Sequence, residues 1–147
     1  MKHSYENIVE IEHVLRKMSG IIKRKGREIL NDFPITPPQF VALQWLNEEG
    51  DMTIGELSTK MFLAFSTTTD LIDRMEKNHL VERIRDQKDR RVVQIHLLEK
   101  GKKLINEVLD TRRKYLADIL EDMSTEDVDQ ISLSLHQLFA KMEDDII

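Results

Sequence analysis

The chain reads as a mainly α protein carrying one small β-hairpin, an α+β arrangement, and three observations predict it. Apolar residues recur at helical spacing through most of the 147 residues. Only three prolines and five glycines interrupt them. One stretch, 81–97, alternates with a period of two around a polar turn and so pairs as a hairpin.

The elements follow in order. Ile8, Ile11, Leu15, Met18 and Ile22 recur at 3–4 spacing, with Ile29 a heptad beyond, which predicts a helix over 7–30, about 36 Å long. Asn31-Asp32-Phe33-Pro34 ends it, because the residue before a proline avoids helical backbone. Thr36, Pro37 and Gln39 form a capping box with proline at the first helical position, and Gly50 supplies the stop. Thr53-Ile54-Gly55-Glu56 reads as a second capping box, opening a short helix to about Lys60. Ser66 is the expected cap of the next helix, 66–78, with Thr68, Leu71, Ile72 and Met75 facing inward. The hairpin pairs Val81–Arg85 with Arg91–Leu97. A long helix follows from Glu99 through Ile119, and Ser124 caps a last one whose seam is Val128, Ile131, Leu135, Leu138 and Met142. These terminal helices hold more apolar stripe than one small lobe can cover, so they are expected to pack on the same elements of a second copy.

Composition removes several function classes. There is no cysteine, which excludes a disulfide framework, a thiolate zinc site and a thiol redox switch. The N-terminus carries acids inside its apolar pattern, unlike a secretory signal, and no apolar run approaches the ~20 residues of a membrane span. The expected compartment is the cytoplasm. No Gly-rich phosphate loop, nucleophile motif or paired-carboxylate pocket supports an enzyme. The net charge of −5 hides an uneven distribution. Between Arg83 and Arg91 five bases meet two acids, whereas Glu121–Ile147 holds eight acids and one base.

Two short helices with a tight join, followed by a basic hairpin, fit double-stranded DNA: one helix enters the major groove and the hairpin reaches the neighbouring backbone or minor groove. On the 66–78 helix, Ser66, Thr67 and Thr69 place hydroxyls at the N-terminal end, where hydroxyls and backbone N–H groups hold phosphate. Asp70, Arg74 and Lys77 lie on the outer face, where arginine reads guanine and aspartate can accept from cytosine. The plainer reading is a surface helix with an Asp70–Arg74 pair. At the hairpin tip, Lys88 and Arg90 can reach phosphate or a narrow minor groove, and Asp89 can pair with Arg91 and hold the turn. The plainer reading there is a charged edge that resists aggregation.

These residues carry a specific resemblance. Thr36-Pro37-Pro38-Gln39-Phe40, Thr53-Ile54-Gly55-Glu56-Leu57, Ser66 through Lys77, and Asp89-Arg90-Arg91 followed by Leu97 and Glu99-Lys100-Gly101 are similar, in order and spacing, to motifs of the MarR family of winged helix-turn-helix regulators. The resemblance covers nearly the whole chain. It implies a single domain over 1–147: dimerisation helices at 1–35 and 102–147 frame a DNA-binding lobe over 36–101, with a recognition helix near 66–78 and a wing near 81–97. It further implies a homodimer that binds a pseudopalindromic operator, most often as a repressor. Arg90 and Arg91 would make the wing contact with Asp89 bracing an arginine, and a small-molecule ligand would bind between dimer body and lobes. No cofactor is implied.

The sequence departs from that pattern at Asp70, often basic in the family, at His79, where a glycine is usual, and at Leu98, where a threonine is expected. Without a glycine there, Asn78 or His79 is expected in left-handed backbone. Two other readings stand beside the main one. A dimeric helical interaction protein that has lost DNA binding would suit Asp70 and the net acidity. A metal-sensing regulator of the same fold would use His13, His79, His96 and His136, although they form no H-x-x-x-H or H-x-x-x-E pair. The basic run Lys23-Arg24-Lys25-Gly26-Arg27 reads as a solvated face before a second DNA contact.

Overall fold

The structure is a computed structural model and describes residues 2–146. Its elements are α1 (Tyr5–Leu30), α2 (Pro37–Glu49), β1 (Met52–Thr53), α3 (Ile54–Met61), α4 (Phe65–Lys77), β2 (Val81–Arg85), β3 (Val93–Leu97), α5 (Glu99–Leu120) and α6 (Thr125–Ile146). The mainly α class with a small hairpin is what the sequence predicts. The chain divides into two compact units, Met1–Thr111 and Arg112–Ile147, with α5 running from the first into the second. No described helix is long and apolar enough to cross a membrane.

Helix ends follow the sequence where side-chain chemistry dictates them. Gln39 N–H donates to Thr36 Oγ1 at 3.3 Å and Thr36 N–H donates to Gln39 Oε1 at 3.1 Å, the full capping box ahead of Pro37. Gly50 stops α2 at φ 85, and Ser124 Oγ accepts from Asp127 N–H at the start of α6. Other boundaries differ from the sequence reading. The first helix begins two residues early, at Tyr5, because Ser4 Oγ accepts from Asn7 N–H. At α3 only half of the expected box forms: Glu56 N–H reaches Thr53 Oγ1, but the Glu56 carboxylate takes the Thr53 hydroxyl instead of its backbone N–H. The second hairpin strand starts at Val93 instead of Arg91, because 86–92 close a tighter tip through Asp86 N–H to Val92 O and Val92 N–H to Asp89 O.

The sheet has a third strand that sequence pattern could not reveal. Its order is β1-β3-β2, all antiparallel, with Met52 opposite Ile95 and Arg83 opposite Ile95 from the other side. Two residues are too few for alternation to register. Ile95 is thereby central and fully buried, and it joins a core of Leu43, Leu57, Ile72, Met75, Leu80, Val81, Ile105 and Val108.

Two helices of this unit end in the same way. After α4, His79 N–H bonds Glu76 O and Leu80 N–H bonds Met75 O, a Schellman ending that needs left-handed backbone, and His79 takes it at φ 61. After α3, Phe62 N–H bonds Thr59 O and Leu63 N–H bonds Ser58 O, with Phe62 at φ 56. A side chain in this conformation costs roughly 1–2 kcal/mol relative to glycine. Close packing secures the exit from the hairpin: Leu98 N–H donates to Leu80 O, and a Cβ on Gly101 would strike that carbonyl oxygen and the Leu97 side chain. Only glycine lets α5 approach so near.

The terminal helices expose their apolar faces. Along α1, Ile8, Ile11, Leu15, Met18 and Ile22 are all exposed, and the chain buries that helix only at Ile29 and Leu30. In the second unit, Leu116 and Ile119 of α5 and Ile131, Leu135 and Met142 of α6 are exposed as well, with Val128 and Leu138 half-buried.

Candidate nucleic-acid interface

The helix α4 presents one face to its own lobe and one to solvent. Thr68, Ile72 and Met75 are buried and Leu71 is half-buried, while Ser66, Thr67, Asp70, Arg74 and Lys77 are exposed, as the sequence pattern predicts. Thr69 is half-buried. Its hydroxyl donates back to Phe65 O at 3.0 Å, and the Thr68 hydroxyl donates to Ala64 O at 3.1 Å. The serine cap does not occur. Ala64 occupies the cap position with ψ 150, the helix starts at Phe65, and no side-chain hydrogen bond caps it. Ala64 leaves the preceding left-handed turn in extended backbone, so the helix begins before Ser66 is reached. Nor do Asp70 and Arg74 pair with each other. Among the described residues, the ion pairs of α4 go to the hairpin through Asp73 and Glu76 instead.

That connection is the feature sequence reasoning missed. Arg83, on β2, donates through Nη2 to Asp73 Oδ1 at 2.6 Å and through Nη1 to Glu76 Oε1 at 2.7 Å. Its backbone N–H also donates to Glu76 Oε2 at 3.1 Å. Burial disfavours the Arg83 charge, but these bonds outweigh it and hold the guanidinium above its usual range. Arg83 therefore does not belong with the free bases of the hairpin. It spans two carboxylates one helical turn apart, a geometry that suits a planar fork and not an ammonium. The helix and the hairpin are locked together, and two of the three acids on the solvent side of α4 are neutralised. The available signal was the spacing Asp73-x-x-Glu76 followed by a base on the adjoining strand; without the strand register it points nowhere.

The tip is braced as expected. Arg91 donates through Nε and its backbone N–H to Asp89 Oδ1 and through Nη2 to Asp89 Oδ2, all at 3.1 Å. The Arg91 side chain, then its backbone N–H, pull the Asp89 carboxyl below the usual carboxylate range. A depressed carboxyl contributes its pairing above the unfolded value and loses it as pH falls through the folded one, so the brace holds throughout the neutral range. Arg85 Nη1 donates to Arg90 O at 2.8 Å, which fixes the tip from the strand side. The Lys88, Arg90 and Arg91 side chains are exposed.

Beside this surface lies a cavity of about 660 Å³. Its apolar wall comes from Pro37, Pro38, Val41, Met61, Leu63 and Leu71, and its rim includes Thr67, Asp70 and Arg74. It lies within the first unit, between the start of α2 and the outer side of α4. Among the described residues, no group of three or more His, Asp or Glu side chains converges as a metal site would require. His96 instead meets Asp51, Nδ1 to Oδ1 at 2.8 Å, across the β1–β3 edge.

This geometry has close relatives. Residues 35–93 match the MarR family. The chain is 58% identical over 138 residues to the uncharacterized HTH-type transcriptional regulator YsmB of Bacillus subtilis (strain 168), covering 94% of each. It is 27% identical over 128 residues to the HTH-type transcriptional repressor MdtR of the same organism, covering 87% of this chain and 83% of that one. Among solved structures, that of a MarR family protein from Bacillus stearothermophilus has 52% sequence identity and a TM-score of 0.90, over 96% of this chain and 99% of the other.

Proposed function

The chain belongs to the MarR family of DNA-binding transcriptional regulators, and from that premise we propose that it acts as a homodimeric, ligand-modulated repressor on a pseudopalindromic operator. The observation that carries this reading is the Arg83 clamp. It makes the exposed face of α4 and the basic tip between β2 and β3 one rigid unit, as a protein needs when it reads a major groove and grips the adjacent backbone together.

In this reading residues 36–101 form the DNA-binding lobe. Ser66 and Thr67 flank the phosphates at the start of α4, Thr69 keeps its hydroxyl proton on Phe65 O and drops out of that set, and Asp70 and Arg74 meet base edges. Lys77 adds charge at the helix end, and Lys88, Arg90 and Arg91 grip the minor groove with Asp89 bracing. The exposed apolar faces of α1, of the end of α5 and of α6 support a dimer: left in water they would present far more apolar surface than a monomer tolerates. Residues 1–35 and 102–147 then form the dimer body, and half-site centres fall about one helical turn, ~10 bp, apart. The repressor role rests on likeness to a relative named a repressor. The proposed dimer would work in the cytoplasm.

The cavity beside α4 supports ligand modulation. It lies inside the 36–101 lobe and not between lobe and dimer body, where the resemblance would put a ligand, so a small molecule filling it would cover Thr67, Asp70 and Arg74 and oppose their contact with DNA.

Arg74 supplies the test. When duplexes are selected from a random pool, Arg74→Ala returns a consensus with relaxed preference at one symmetric base pair in each half-site, and affinity for the original operator falls by ~1–3 kcal/mol. An unchanged consensus would show that Arg74 reads no base.

A further inference from the structure

The start of α4 is more apolar than its Ser-Thr-Thr-Thr sequence suggests. The cap residue is alanine, and the Thr68 and Thr69 hydroxyl protons are spent on the carbonyls of Ala64 and Phe65. Phe65, the first residue of the helix, is 63% exposed, and Phe62, three residues earlier in the turn, is 94% exposed. A phenylalanine with almost its whole ring in water gains nothing from folding. Phe62 also holds left-handed backbone that glycine would adopt without strain. Two uncovered rings, one at the C-cap of α3 and one at the first residue of α4, mark an apolar contact surface at the turn into α4, and its position says what meets it: the N-terminal residues of a helix docked in the major groove face base edges.

Most of the major groove's edges are polar, but thymine presents a C5-methyl group, which phenylalanine contacts well. We infer that Phe65 is a specificity-determining residue that packs on a thymine methyl in each half-site, with Phe62 closing the contact against water. This extends the reading of α4 as the major-groove helix and depends on it. It also accounts for the missing hydroxyl cap: an apolar lead-in is what a methyl group requires, and Ser66 and Thr67 remain just beyond it for the backbone. Base preference at that position then comes from shape and burial instead of hydrogen bonding.

The test removes the methyl without altering pairing. Wild-type protein is used to select an operator from random duplexes, and each symmetric thymine pair is replaced in turn by uracil. Losing a buried methyl should weaken wild-type binding roughly four-fold per half-site at one such position. Phe65→Ala should bind the thymine and uracil operators equally, while Phe65→Leu keeps part of the discrimination. Circular dichroism of both variants should match the wild type, since the ring is largely exposed. If uracil has no effect on the wild type at any position, or if Phe65→Ala discriminates as the wild type does, the assignment is overturned while DNA binding stands. Failure of the wild type to enrich any sequence would instead remove the DNA reading, and this one with it.

Discussion

Arg90→Ala combined with Arg91→Ala lowers affinity for the operator and for random DNA alike, by about a hundred-fold at ~150 mM salt. In the proposed dimer the change removes four cations and frees two Asp89 carboxylates that Arg91 now occupies. Acids turned toward phosphate add repulsion to the lost attraction. The plot of log affinity against log salt should flatten by roughly three to four. Thermal stability should barely move, because both side chains are exposed at the tip and the β2–β3 register is set by Val81 through Arg85. Titrations of the double variant at several salt concentrations check this. Undiminished binding would exclude the tip from the interface, and an unchanged salt slope would mean that the two arginines touch no phosphate.

Arg83→Met acts by a different route and affects both stability and binding. The side chain lies between α4 and β2 and is only 28% exposed, so methionine keeps much of its volume. What is lost is the pair of charge-assisted hydrogen bonds that the guanidinium donates to Asp73 and Glu76. Charge-assisted bonds of this kind, discounted for partial exposure, are worth roughly 1–2 kcal/mol. The larger consequence lies on α4: Asp73 and Glu76 lose their counter-charge within reach of DNA, and only the backbone N–H of residue 83 still ties Glu76 to the hairpin. Operator affinity should fall about ten-fold at ~150 mM salt, and the deficit should shrink as salt rises, because the repulsion is itself screened. Arg83→Lys should restore little, since one ammonium cannot span both acids. Calorimetric unfolding and operator titration together test this. A variant that keeps full affinity would show that the clamp is merely structural.

Much of this arrangement can be read from the chain. Periodicity marks the long helices, since stripes such as Val128 to Met142 span several turns, and Thr36, Gly50, Thr53 and Ser124 set boundaries through local chemistry that needs no tertiary context. The inward and outward faces of α4 follow from the same period. What stays hidden depends on partners distant in sequence or on backbone the residue type does not announce. Thr53's strand exists only because Gln94 lies opposite it. Ser66 looks like a cap, but Phe62 turns the chain early and the helix starts at Phe65. Arg83 counts as a free base until strand register brings it to Asp73 and Glu76. The exposed rings of Phe62 and Phe65 look like ordinary core residues in a sequence, and only the fold shows that nothing in the chain covers them.

The measurement that bears most directly on the whole account is the mass and footprint of the complex formed with a duplex selected from a random pool. Two chains per duplex are expected, protecting a two-fold symmetric site with half-site centres ~10 bp apart. A single chain on the duplex, an asymmetric footprint or a pool that yields no consensus would contradict it.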